Sequence, residues 1–581
     1  MADTYTYEDS METQMTLEPF VSRQVLYAID MNNGNYAGQI QLDTSSLSNS
    51  GKYANYQDAH FEVPIVMRLT ATSPNAQVAS IQNLDSSFAV GLKSGYFNFI
   101  HSISVEYNNT SVVQLTPYTN FYVNFKLLTS FSKDTLEKYG ALLGFYPDSS
   151  DSARYGSQTV ASPAGHGSIN NQNLPQFPAS VYSYQALKDG ATNKGLFWRQ
   201  ANTTAFDPSA TSVAPFISAS QAGTIGLNYF RKGAGTDINC KWWFVLAVIR
   251  LKDISDFFGQ LPLVKGAFLR FIINTNTSTH NLSITTTGLP SPIVSDVSMT
   301  QNIITGGSTP IMIADASTAG NGLYEIADAC NQIGAGVYQF QLACSIARDT
   351  TFGVSHPTLQ QVRLYCPVFQ FNPVNEEQYL SLNKIKTITY KDIYQYQVDV
   401  SCQGSPGQFQ GTFNSLLTNG IPNPKSLIII PFIGTTSNNT GTASSPIAPF
   451  GSPFASEPST TSPYINLTNF NVQVAGITVF VQNELYDFEA FKNELVSMNA
   501  INGSQVDGMD SGLIGYSEFQ STARYYVVDL SRRLPAEDRV PKSLQILGTV
   551  QSGSIANVSL YCFVEFEKSI QVDLETGAKL C

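Results

Sequence analysis

Five histidines, seven cysteines and a scatter of carboxylates are the residues of this chain with chemistry to offer. His60, His101, His166, His280 and His356 stand apart from one another, and none has a partner at zinc-site spacing. His101 falls within an expected strand and reads as a core-edge or surface residue, not a base. H-E-x-x-H, G-x-S-x-G and G-x-x-x-x-G-K-S/T are all absent. RKGAGTD (231–237) has glycines but no strand–turn–helix frame for a phosphate. DSSDS (148–152) and VDGMDSG (506–512) gather Asp with Gly and Ser, yet neither follows the twelve-residue calcium loop. A glycosidase carboxylate pair has no signature in a linear reading, because its members meet only in space. No residue is therefore nominated as catalytic, cofactor-binding or metal-ligating, and no cofactor is expected.

The cysteines are Cys240, Cys330, Cys344, Cys366, Cys402, Cys562 and Cys581, an odd number without C-x-x-C. Cys344, Cys366 and Cys562 lie in apolar runs, where a thiol serves as a small hydrophobe. Reduced, buried thiols are expected, in keeping with assembly inside a cell. N-x-S/T triplets at Asn202, Asn281 and Asn466 carry no meaning without a secretory route. The N-terminus has no basic, apolar leader, and the strongest apolar run, 242–249, is far short of the roughly 20 residues of a membrane span.

Of the 581 residues, 13% are charged and 43% hydrophobic, with a formal net charge of −12. About 25% charged is usual, so uncharged polar residues fill the difference. This composition excludes a long-helix protein and, with aromatics at 12%, a disordered one. The acidic balance argues against nucleic-acid binding, which takes most of its affinity from phosphate neutralisation.

Strands must position whatever the chain does. Runs rich in Val, Ile, Phe and Thr, bounded by Gly, Pro, Asn and Ser, occupy 61–72, 97–109, 242–251, 267–278 and 282–288. Others follow at 338–346, 360–371, 388–402, 426–434, 470–483, 543–550 and 556–574. Helices are expected at 117–144, 375–383 and 486–500. The order strand, helix, long loop, strand, Leu-Pro segment, strand occurs once in each half. The predicted class is therefore all-β, with two related β domains. They comprise an acidic arm at 1–22, a first domain at 23–290 with a long insertion at 145–238, a linker at 291–310, and a second domain at 311–581 with a long loop at 435–465. The arm holds Asp3, Glu8, Asp9, Glu12 and Glu18 and no base before Arg23, so it is expected to lie against a neighbouring subunit or partner instead of condensing a genome.

Locally, 26–67 (LYAIDMNNGNYAGQIQLDTSSLSNSGKYANYQDAHFEVPIVM) resembles the opening of major capsid proteins of polinton-like viruses and virophages. The segment 251–274 (LKDISDFFGQLPLVKGAFLRFIIN) resembles their late first-barrel strand pair, and 561–580 (YCFVEFEKSIQVDLETGAKL) their last strand and exit. The resemblance implies two tandem jelly rolls with a few loop helices. It further implies a homotrimeric, pseudo-hexagonal capsomer in an icosahedral virion shell around double-stranded DNA, with 145–238 and 435–465 as outer tower loops. Neighbouring capsomers, minor capsid or cement proteins and penton proteins would be the partners, without sequence-specific nucleic-acid binding and without a transmembrane segment. The alternatives are a large secreted or surface β protein that binds or cleaves carbohydrate, and a host-recognition fibre.

Overall fold

The structure is a computed structural model. It describes residues 19–72, 88–145, 147, 205–206, 228–232, 240–287, 293–304, 307–315, 332–334, 336–404, 409–433, 465–500, 512–521, 523–531, 540–553 and 557–580. The expected tower loops, 145–238 and 435–465, lie almost wholly outside these residues, as do Cys330, Cys581 and His166. So does the acidic arm up to residue 18, and from Phe20 its last residues belong to the first strand.

From Ile385 onward the chain forms two four-stranded antiparallel sheets. One pairs Ile385–Ser401, Asn557–Asp573, Pro424–Ile433 and Tyr526–Asp529 in that order. The other pairs Phe409–Pro422, Pro541–Gly553, Asn466–Val474 and Ile477–Thr478. Counted along the chain, the spatial orders are 1-8-3-6 and 2-7-4-5.

Eight strands of the first part of the chain, numbered in order among themselves, repeat both orders. Phe20–Ile29, Arg363–Phe371, His60–Ala71 and Cys240–Arg250 pair as 1-8-3-6. Gln39–Asp43, Leu269–Thr275, Ile100–Tyr107 and Thr110–Val113 pair as 2-7-4-5. Among the described residues, no strand before residue 372 pairs with one after residue 384.

This pairing corrects the expected boundary. The eighth strand of the first unit is Arg363–Phe371, and Val337–Ile346 also joins that unit, pairing with His60–Ala71. The stretch expected as a linker, 291–310, lies instead inside a long excursion between the seventh and eighth strands. There Ser278–Thr287 and Ile293–Ile304 form a hairpin. Turn-forming composition marks a chain reversal, and it reads the same in a hairpin as between domains. The break in strand pairing falls at the helix Pro373–Asn383, begun by Asn372, whose side chain accepts from Val374 N–H.

The expected helix 117–144 is two helices, Thr119–Ser130 and Lys133–Leu143. Ser132 breaks it: its hydroxyl accepts the Thr135 N–H and starts a new helix, which Gly144 ends in a left-handed conformation. From Thr119 to Phe125 every residue of the first helix is buried. A helix covered on all sides needs no polar stripe, and this one has none.

That helix lies between the two sandwiches. The strand Asn557–Asp573 shows its effect. Residues 558–566 are buried without interruption, whereas Ile570 and Val572 alternate with exposed or half-buried neighbours. The continuous run lies where a second layer covers the sheet, and alternation returns where one face meets solvent.

Candidate functional site

The seam between the two sandwiches concentrates aromatic and titratable side chains. Phe121 packs against Phe432 and Tyr561, with ring centroids 4.9 and 5.5 Å apart. Tyr118 meets Tyr561 at 5.1 Å, and Phe125 meets Tyr525 at 5.3 Å. The backbone of Leu513 donates to the Leu128 carbonyl at 2.8 Å. Gly512, with φ +66°, lets that approach happen, since a Cβ there would sit 2.4 Å from the same carbonyl oxygen.

A charged cluster crosses the seam beside these rings. Tyr122 donates its hydroxyl to Glu565 Oε1 at 2.6 Å, and Ser426 donates to Glu565 Oε2 at 2.5 Å. Lys391 Nζ stands 3.5 Å from the same carboxylate, and its backbone N–H donates to Asp256 Oδ2 at 3.0 Å. Lys568 Nζ lies 2.7 Å from Asp392 Oδ2, which also accepts the Gln114 N–H at 3.3 Å. Tyr390 and Thr116 donate their hydroxyls across the seam to the carbonyls of Val112 and Ile393, at 2.7 and 2.8 Å.

Burial tends to raise the Glu565 carboxyl. The Lys391 ammonium, the Ser426 and Tyr122 hydroxyls and Lys126 outweigh it and hold the group below the ordinary value. Glu565 in turn raises Lys391. Burial raises Asp392 despite its Lys568 partner, and burial lowers Lys126. Burial, then the charge of Glu565, raises Tyr122 well above the ordinary tyrosine value.

Perturbed carboxylates beside a tyrosine and lysines are what an acid–base site contains. The geometry here serves a different purpose. The space among Thr116, Tyr122, Asp256, Lys391 and Asp392 is about 20 Å³. That accommodates one water molecule and no substrate. The polar groups spend their hydrogen bonds on one another across the seam, so their effect is to hold the two halves in one relative position.

None of the described histidines joins this cluster. Burial lowers His101 to about 4, His356 to about 4 and, together with Lys93, His280 to about 3, which leaves all three neutral near pH 7. His60 stacks on Tyr365 at 5.6 Å. Cys240, Cys344, Cys366, Cys402 and Cys562 are buried and form no disulfide among the described residues, as expected, and burial pushes Cys366 up to about 12. Among the described residues, no helix is long and apolar enough to cross a membrane.

A second feature lies on the outside. On the first strand, Phe20–Ile29, the residues Val25, Tyr27 and Ile29 share one face with Arg23 and are 59%, 46% and 43% exposed, while Val21 stands at a break in the register. Across the ladder, Val25 opposes Pro367 and Tyr27 opposes Tyr365, which extends the apolar strip onto a second strand. Among the described residues, this first strand pairs on one side only.

No protein-family model matches the chain, and no curated protein does. Solved structures do. A chain of the Sputnik virophage, from its cryo-EM structure, aligns at TM-score 0.50 and 10% identity, covering 97% of this chain and 89% of that one. The Faustovirus major capsid protein aligns at TM-score 0.42 and 9% identity, covering 95% and 91%. The doubled 1-8-3-6 and 2-7-4-5 strand orders, with a match over nearly the whole length, decide the fold. The chain is a double jelly roll. The seam helix and the charged cluster lock its two jelly rolls together, and the apolar strip lies on the sheet of the first that holds Phe20–Ile29 and Arg363–Phe371. Tyr122, Asp256, Lys391, Asp392, Glu565 and Lys568 were not singled out in the sequence. The visible signal was charge inside apolar strands, in YKDIY (390–394) and VEFEKS (564–569).

Proposed function

We propose that this double jelly roll is a major capsid protein, the structural subunit of an icosahedral virion shell. The observation that carries the proposal is its whole-length fold match to a chain of a virophage particle. The physical features agree with it. Assembly interfaces bury aromatic and aliphatic side chains and exclude charge. A strip of Val25, Tyr27 and Ile29 on the sheet offers such a surface. A subunit that tiles a shell also needs a fixed angle between its two jelly rolls, and the seam supplies it. The closed seam cluster and the neutral histidines favour a non-enzymatic role.

In this reading the chain forms a homotrimer, with two jelly rolls per copy giving pseudo-sixfold capsomers. These pack against neighbouring capsomers and against minor capsid, cement and penton proteins. The acidic arm faces a neighbour or an underlying partner, and 145–238 and 435–465 face outward. We place the division between the jelly rolls at the helix Pro373–Asn383, where strand pairing changes over. Size-exclusion chromatography with light scattering tests the proposal. A stable particle of three 63.3 kDa chains, or a larger shell, is expected. A stable monomer would overturn it.

A further inference from the structure

Beside the apolar strip, the turn at Asn33–Gly34 and the loop 347–362 enclose an open cleft of about 400 Å³. Asn33, Arg348, Thr358, Gln360, Gln361 and Arg363 line it. Four observations point to a ligand. First, neither Arg348 nor Arg363 has a carboxylate partner among the described residues, in a chain of net charge −12. Second, Arg363 is held in place: its guanidinium sits 4.8 Å over the Tyr27 ring and donates to Tyr365 Oη at 3.3 Å, while its buried Nε has no acceptor. Third, the side chains of Asn33, Gln360 and Gln361 make no hydrogen bond within the described chain, which leaves three amides free in one cleft.

Fourth, the wall of the cleft is rigid. Arg68 Nε and Asp349 Oδ2 form a buried pair at 2.6 Å, and Trp242 Nε1 donates to the same oxygen at 3.0 Å. His356 is buried, and its Nδ1 accepts the backbone N–H groups of Thr358 and Leu359, at 3.3 and 3.2 Å. Its own backbone N–H donates to the Ala347 carbonyl at 2.7 Å. A loop fixed at both ends presents its polar side chains at little ordering cost.

We infer that this cleft binds an anionic saccharide, with Arg348 and Arg363 on the acidic group and the amides on the sugar hydroxyls. Guanidinium groups match the paired oxygens of sulfate, phosphate or carboxylate. The volume lies within the range of about 300–1,000 Å³ typical of small-ligand sites, larger than a bare ion needs. The lining also argues against a protein occupant, since the core of a protein interface is apolar and poor in charge, and this cleft is the reverse. The inference goes beyond the capsid reading and does not depend on it.

Calorimetric titration of the purified chain, in its native oligomeric state, tests the inference. The probes are a sulfated disaccharide, the same disaccharide without sulfate, inorganic sulfate, and a peptide of residues 3–18. The sulfated disaccharide is expected to bind most tightly. Arg348→Ser and Arg363→Gln should each weaken it by about tenfold, the loss of one charge-assisted contact. Arg23→Ala, which removes an arginine outside the cleft, should leave binding unchanged. Because Arg348 is exposed, its variant should keep the parent unfolding midpoint, which separates lost binding from lost folding. Equal binding of the unsulfated sugar, equal binding of inorganic sulfate, tighter binding of the acidic peptide, an equal loss in Arg23→Ala, or no binding would each overturn the inference.

Discussion

Tyr122 of the first jelly roll donates its hydroxyl to Glu565 of the second at 2.6 Å, across a sequence separation of 443 residues. Both residues are buried. The bond joins a helix between strands of one sandwich to the eighth strand of the other, at the centre of the seam. A hydrogen bond to a buried carboxylate is worth about 1.5–3 kcal/mol, and an acceptor left without its donor adds to the loss. Tyr122→Phe should therefore lower the unfolding free energy by about 2 kcal/mol. Glu565→Gln should cost more, about 3–5 kcal/mol, because it leaves Lys391 without its partner at a partly buried site. Chemical denaturation of both variants and of the double mutant measures the coupling. Additive losses would show that the pair does not act across the seam.

The seam also sets a pH window. Glu565 is held below its ordinary value, so its contribution is present above the ordinary carboxylate range and disappears as pH falls through the lowered native value. Lys391 is held above its ordinary value by Glu565, so its contribution is full below the ordinary lysine value and disappears as pH rises through the raised one. Asp392, raised by burial, works the other way in acid: its protonation in the native state relieves a cost. The unfolding midpoint should show a plateau between the two ranges and fall on both sides. Glu565→Gln should flatten both limbs, and midpoint-against-pH curves for the two proteins check this.

Gly577 and Gly51 form a controlled pair. Their φ angles are nearly equal, +69° and +68°. A Cβ at Gly51 meets nothing within 4 Å, whereas at Gly577 it would lie 2.4 Å from Ala267 N. Gly51→Ala should cost only the left-handed penalty, about 1–2 kcal/mol. Gly577→Ala should cost clearly more, because the C-terminal turn of the second jelly roll must then lift from the Gly266 turn of the first. Thermal unfolding of both variants reads the difference.

Tyr27→Asp and Val25→Asp address the outer strip. Both side chains are more than 40% exposed, so Val25→Asp should change the isolated chain by no more than about 0.5 kcal/mol, and Tyr27→Asp by more, about 1 kcal/mol, because it gives up the Arg363 guanidinium over its ring. If the strip is an assembly surface, these charges should block oligomer formation. Light scattering and the unfolding midpoint, measured on the same samples, separate the two effects.

Much of the fold was legible in the sequence because strands announce themselves. Alternation and short β-branched runs marked the main strands of both sandwiches, and the recurrent strand–helix–loop–strand order marked their duplication. The division between them was not legible. Val337–Ile346 and Arg363–Phe371 look like any other strands, and only the hydrogen-bond register shows that they return to His60–Ala71. Long-range pairing is a property of the whole chain, and no local window contains it. The break at Ser132 was missed for the opposite reason: a single cap outweighed an unbroken run of helix-compatible residues. The seam cluster was invisible as a unit, since Asp256, Lys391 and Glu565 lie more than a hundred residues apart and acquire meaning only when packed together.

Electron microscopy of the purified assembled protein tests the central claim most directly. The account predicts pseudo-sixfold capsomers built from three copies, each contributing two jelly rolls, with the strip of Val25, Tyr27 and Ile29 covered. Particles containing one chain, with that strip open to solvent, would contradict it.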